Sequence, residues 1–280
     1  MALSDSSADT PFLEYRQAIR LLNEFQFFTG NVLIPTVGLR FDRSVPALML
    51  LRADRPGTQP RGVSTSSLAA SFRHPRETIR RAMLDLQAVG LAERAEEGWR
   101  LSRSRASAGL RQELSSEILR HFGHFIEGLA PTGVLPRHDV VKASPDARLV
   151  AALDIYLSIF DFNMLSLREC RELYLLVGIS IVEMSRVTHC RELANRYSSP
   201  DTLPPPSVTL PVTLRQVASW HGFPASSVWR SARRLELRGA LKRDGAGYRI
   251  GDVFTATPES RRWAVPMLKY VRRRLAVLAS

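Results

Sequence analysis

Two arginine-rich runs stand 149 residues apart in this chain, Arg76, Arg80 and Arg81 in the first and Arg230, Arg233 and Arg234 in the second. A guanidinium offers a rigid fork of N–H donors, which can bond the O6/N7 edge of guanine or a phosphate bidentately. Thr78, Ser226 and Ser227 lie near the start of these runs, where hydroxyls and helix N–H groups suit a phosphate oxygen. No other spacing supports chemistry. Cys170 and Cys190, with six histidines, match no structural zinc pattern, and His121 and His124 stand three apart without a supporting thiol or carboxylate. There is no glycine-rich phosphate loop, no G-x-S-x-G turn and no carboxylate pair common to both runs. The expectation is therefore a non-enzyme with no cofactor and no metal.

Composition agrees with an anionic partner. The chain has 280 residues, 39 Lys plus Arg against 27 Asp plus Glu, a formal charge of +12 and 45% apolar residues. That is material for about two globular domains, and the field favours nucleic acid or an acidic membrane surface. The opening MALSDSSADT lacks the pattern of an export signal, and the longest apolar stretch, LYLLVGISIV, is too short to span a bilayer and is closed by Glu172 and Glu183. A soluble, cytoplasmic, nucleoid-associated protein with no membrane partner is expected.

The arginine runs belong to a longer repeat. Shifting the chain by 149 residues lays Ser64 to Ser102 on Thr213 to Gly251 without a gap, with identities at Ala69/Ala218, Pro75/Pro224, Arg81/Arg230, Leu86/Leu235, Gly90/Gly239, Arg94/Arg243, Gly98/Gly247 and Arg100/Arg249. Apolar positions continue in step downstream, Leu114 with Trp263 and Leu119 with Leu268. Upstream, with a slip of about one residue, FLEYRQAIRLLNEFQFFTG falls on FNMLSLRECRELYLLVG. The chain reads as two domains, 1–131 and 132–280, with motifs at 64–102 and 213–251.

Each motif has a readable local plan. In the first, Ser64 caps a short helix ending near Phe72, Pro75 opens a second that stops at Gly90, and a hairpin turning at Glu96-Glu97-Gly98 follows. Ile79, Ala82, Met83 and Leu86 share one face of the second helix, so Glu77, Arg80, Arg81 and Leu84 project from the other. In the second copy the hairpin turns at Gly245-Ala246-Gly247. Thr10-Pro11, Ser144-Pro145 and the Ser166 to Glu169 box read as starts of the flanking helices. The fold class expected is mainly α with short β-hairpin wings.

This passage resembles the winged helix-turn-helix of bacterial GntR and MarR regulators, through Leu68-Ala69-Ala70, the run Pro75 to Arg80, and Leu86 to Leu91 followed by Glu93-Arg94. The resemblance implies that Arg76, Thr78 and Arg80 contact bases and phosphates. The second copy departs from the pattern, with Ala225 and Trp229 at the Arg76 and Arg80 positions. Trp229 reads either as a packed aromatic or as a base contact. The repeat length is that of a MarR-type subunit, whose flanking helices form the dimer interface, so the resemblance implies a single-chain pseudo-dimer.

The expected DNA-contacting set is Ser64, Arg76, Glu77, Thr78, Arg80, Arg81 and Arg100 in the first copy. In the second it is Thr213, Ser226, Ser227, Trp229, Arg230, Arg233, Arg234, Lys242, Arg243 and Arg249. Glu93, Glu96 and Glu97 ill suit the first wing to a phosphate backbone, and residues 132–280 carry 22 basic against 13 acidic side chains. The function expected is a double-stranded DNA-binding transcriptional regulator with two unlike recognition helices. A plasmid-type replication or partition initiator and a winged-helix interaction scaffold are the alternatives. Further homodimerisation through the flanking helices and a small-molecule effector are left open.

Overall fold

The computed structural model describes residues 15–54, 62–72, 74–130, 140–163, 167, 169–199, 202–255 and 258–279. It is mostly helical, with two small antiparallel sheets of two strands each. The described residues begin with three helices, α1 (Tyr15–Gly30), α2 (Leu33–Val37) and α3 (Phe41–Ala53). Then come α4 (Thr65–Phe72), α5 (Arg76–Ala88), β1 (Ala92–Ala95), β2 (Gly98–Leu101) and the long α6 (Arg105–Leu129). The second half runs α7 (Pro145–Asn163), α8 (Cys170–His189), α9 (Arg191–Arg196), α10 (Leu214–His221), α11 (Ala225–Leu237), β3 (Leu241–Asp244), β4 (Gly247–Ile250), α12 (Asp252–Thr255) and α13 (Pro258–Ala279).

From Val63 onward the two halves keep step. Every bound of α4, α5, β1 and β2 recurs 149 residues later as a bound of α10, α11, β3 and β4. Pro75 and Pro224 stand before the second helix in each block, and Gly90 and Gly239 follow it with φ of 68–75°. That left-handed backbone admits glycine at little cost and turns the chain into the hairpin. Val63 and Val212 each add a bridge to the hairpin, Val63 to Trp99 and Val212 to Tyr248. Ser64 and Thr213 cap the helices that follow: Ser67 N donates to Ser64 Oγ at 3.0 Å, and Thr213 makes a full capping box with Gln216. Ser144 likewise accepts from Ala147 N at 3.2 Å at the start of α7. The expected starts at Thr10-Pro11 and Ser166 lie outside the described residues.

Upstream the halves relate differently from the sequence alignment. α3 packs on α5 and β2, whereas α8 packs on α11 and β4. α1 lies along α6, the closing helix of its half, as α7 lies along α13. The helix at the place of α3 is therefore α8, and the helix at the place of α1 is α7, which corrects the pairing of the α1 segment with residues 162–178. The spacing there is 129, setting Arg43 opposite Glu172. The second half spends the difference on a longer α8, on α9 and on the proline-rich connection before α10. Apolar periodicity lets almost any two amphipathic helices be laid on each other, and only their packing partners distinguish them.

One contiguous hydrophobic core runs through both halves. Its aromatic centre joins Phe25, Phe122 and Phe125 to one side and Phe41, Tyr156, Phe160 and Tyr174 to the other. α1 packs on α8 and α7 on α3, so each half leans on the other. At the crossing, Gly30 leaves room for Phe41 and Tyr174, whose rings would come within 2.6 and 2.9 Å of a Cβ there. The Tyr156 and Tyr174 hydroxyls, both buried, share a 2.7 Å hydrogen bond. Asp154 of α7, itself buried, pairs with Arg52 of α3 and with Arg274 of α13. Among the described residues no helix is long and apolar enough to cross a membrane.

Candidate nucleic-acid interface

The second helix of each block buries one face and exposes the other, as the i, i+3, i+4, i+7 spacing requires. α5 buries Ile79, Ala82, Met83 and Leu86, and α11 buries Val228, Ser231, Ala232 and Leu235. Outward stand Glu77, Arg80, Arg81 and Leu84 on α5. At the equivalent places α11 presents Ser226, Trp229, Arg230 and Arg233, with Leu237 one turn further on. Of the four equivalent pairs, Arg81 and Arg230 alone keep the same residue type.

Charge on α5 is tied down locally. Glu77 accepts from Arg80 Nε and Nη2 at 2.7 and 2.8 Å and from Arg81 Nε at 2.9 Å. Those bonds, Arg80 first, hold the Glu77 carboxyl down to about 2. All three side chains remain exposed, so the cluster can open toward a partner. Arg76 is exposed without an ion-pair partner among the described residues, and Thr78 is half-buried with its N–H on Pro75 O at 2.9 Å. In the first hairpin Arg100 is held by Glu93, Nε to Oε1 at 2.8 Å, while Glu96 and Glu97 form the exposed turn.

α11 is built otherwise. Its first eleven residues contain no carboxylate, and Trp229 is 60% exposed, which settles it as an outward rather than a packed aromatic. Ser226 and Arg230 are exposed, and Ser227 lies within 3.5 Å of Arg230. Arg233 reaches Glu236 at 2.9 Å. Arg234 faces inward: its Nε bonds Glu172 at 2.9 Å and its Nη2 Glu169 at 3.0 Å, while Arg238 bonds the same wholly buried Glu172 at 2.6 Å. Arg234 thus anchors α11 to α8 and is withdrawn from the outward stripe.

The second hairpin divides in the same way. Arg243 is exposed with no ion-pair partner among the described residues, and Lys242, also exposed, is paired with Asp252. Arg249 is turned under the sheet among Asp244, Thr209 and Glu183, with its side chain only 14% exposed. Glu183 accepts the Ile250 N–H at 2.8 Å, and burial pushes its carboxyl up to about 7. Ser64 and Thr213 spend their hydroxyls as helix caps.

Two exposed cations beside these stripes escaped the sequence reading. Arg215 opens α10, and Arg94 lies on β1 with its guanidinium 4.8 Å from the Trp99 ring centroid. The signal for Arg94 was present, because it is the repeat counterpart of Arg243. Arg274 of α13 pairs with Asp154 at 3.3 Å. His121 stacks on Phe28 with centroids 5.3 Å apart, and among the described residues no group of three or more His, Cys, Asp or Glu could hold a metal ion. Comparison with family models, curated proteins and solved structures returns no match for this chain.

Proposed function

We propose that the two blocks are winged helix-turn-helix units and that the chain is a transcriptional regulator binding duplex DNA through both of them. The observation that carries this reading is the recurrence of helix, helix and hairpin at a constant 149-residue spacing, with an arginine-bearing exposed face on the second helix each time. A helix of this size fits the major groove, where guanidinium forks discriminate guanine, and the hairpins flank it over the phosphates. Packing of α1 on α8 and α7 on α3 supports a single-chain pseudo-dimer, in which one chain presents two reading helices. Because the two stripes differ at most positions, the site read is asymmetric.

The test is selection of duplexes from a random pool by the full chain, followed by footprinting. Protection across two adjacent helical turns is expected. Arg76→Ala combined with Arg80→Ala should cost about 1–3 kcal/mol per lost base contact and relax sequence preference in one half of the site. Arg243→Ala should weaken all sequences alike and make the salt dependence shallower by about one phosphate contact. Protection of a single turn, or indifference to the double alanine variant, would sink the proposal. Recovery of iterated origin-like repeats with strand opening would point instead to a replication initiator.

A further inference from the structure

We infer that α11 recognises thymine through Trp229, so that one half of the DNA site is read by contact with thymine methyl groups and the other by guanidinium forks. The inference rests on the reading of the chain as a duplex-DNA binder and assigns the chemistry of its second half-site.

Trp229 occupies the place that Arg80 holds on α5, in line with Ser226, Arg230 and Arg233 on a single outward stripe. Leaving an indole 60% exposed forgoes the burial that normally stabilises so large an apolar side chain. Trp99 and Trp220 do not share this state: Trp99 is buried with its Nε1 donating to Thr65 Oγ1 at 3.1 Å, and Trp220 is half-buried against Phe27. The stripe of Trp229 carries Arg230 and Arg233, the latter paired with Glu236, and the same block exposes Arg215 on α10 and Arg243 on the hairpin. That field selects a polyanion over an apolar protein groove. An indole has one N–H donor and no acceptor, so it cannot reproduce the bidentate pattern that an arginine makes with guanine. In the major groove the apolar feature it can meet is the C5 methyl of thymine. Stacking on a base would require an unpaired strand. The hydroxyl of Ser226, one turn earlier, and the guanidinium of Arg230 are placed to reach the flanking phosphates.

The experiment uses the full chain and a labelled duplex chosen by random-pool selection. Each thymine is replaced singly by deoxyuridine, which removes the methyl and keeps every hydrogen-bonding group. Wild type should lose about fourfold in affinity per contacted methyl, the factor that burial of one such group, ~0.8 kcal/mol, corresponds to. The sensitive thymines should fall in the half-site that does not respond to Arg76→Ala and Arg80→Ala. Trp229→Ala should bind thymine and deoxyuridine duplexes equally, and Trp229→Phe should keep part of the difference. The inference is overturned if no thymine is sensitive, if Trp229→Ala stays as sensitive as wild type, or if the chain prefers the separated strand, which would favour stacking. Failure to bind any duplex would remove the underlying functional reading itself, a result distinct from tight binding without methyl sensitivity.

Discussion

Asp85 and Arg234 stand at the same place in the two repeated blocks, carry opposite charges, and are each met by the opposite charge on the helix behind. Arg43 of α3 donates to Asp85 with Nε 2.8 Å from Oδ2, and Glu172 of α8 accepts from Arg234 Nε at 2.9 Å. The same joint, between the second helix of the block and the helix supporting it, is thus held in both halves by an ion pair of reversed polarity. Reversal at both partners together preserves the attraction, whereas reversal at one would place like charges in a half-buried joint.

This polarity leads to a prediction about stability. Glu172 has no solvent exposure and holds both Arg234 and Arg238. Replacing both arginines by alanine strips the buried carboxylate of two charged partners, with an expected cost of about 3 kcal/mol. Arg43→Glu alone should destabilise, and Arg43→Glu with Asp85→Arg should recover most of the loss. Urea midpoints at constant m-value measure both effects, and an additive double reversal would show that the pair is not coupled.

Acid should loosen the contact between the halves. His221, buried at the end of α10, lies with Nδ1 2.9 Å from Asn31 Oδ1 at the foot of α1 and is ringed by Phe27, Phe41, Tyr174 and Phe223. Burial lowers it from 6.5 to about 4. The unfolded chain therefore binds a proton below pH 6.5 that the folded chain refuses until about pH 4. Its contribution is present above pH 6.5 and is lost across that window as pH falls, on the order of 3 kcal/mol in all. Glu183, raised to about 7 by burial, has the opposite slope, favouring the fold below 4.5 and losing that contribution as pH rises through 7. The two slopes oppose each other over nearly the same span, so His221→Phe should leave stability falling as pH rises from 4.5 to 7, and Glu183→Gln should leave it rising from 4 to 6.5.

If the first block binds duplex DNA as proposed, the Glu77 cluster governs how its arginines meet the duplex. Its carboxylate holds both Arg80 and Arg81, so two guanidinium charges reach the stripe already partnered. Glu77→Ala should free them for phosphate, raising affinity for unrelated duplexes and steepening log K against log salt by about 0.9 per new phosphate contact. Discrimination between selected and random duplexes should fall. An unchanged salt slope would mean that these arginines do not face the backbone.

Much of this arrangement was legible in the chain because it is written in local signals. Pro75, Gly90 and the apolar set Ile79, Ala82, Met83 and Leu86 mark α5 within a residue of its bounds, and their echoes mark α11. What was not legible depends on contacts distant in sequence. Arg234 and Arg249 read as outward cations because nothing nearby in the chain reveals Glu172, 62 residues away, or Glu183, 66 away. The equivalence of α3 with α8 was hidden for a similar reason. Apolar spacing marks a helix but not the partner it packs on.

The meeting of the halves has its own test at Gly30. This glycine ends α1 where the helix crosses Phe41 of α3 and Tyr174 of α8, and a Cβ there would stand 2.6 Å from the Phe41 ring and 3.1 Å from the Tyr156 hydroxyl. All three aromatics are buried, and Tyr156 and Tyr174 are fixed to each other by their shared hydrogen bond, so no flexible chain end can yield. Gly30→Ala should therefore overpack the crossing and cost about 1–3 kcal/mol. The control is Gly109, exposed on α6, where an added Cβ would meet no atom within 4 Å. Gly109→Ala should stabilise by up to ~1 kcal/mol through helix propensity. Because the crossing touches α3, which supports α5, as well as α8, which supports α11, Gly30→Ala should, on the proposed reading, weaken DNA binding in both half-sites, and a loss confined to one would show that the two helices are carried independently.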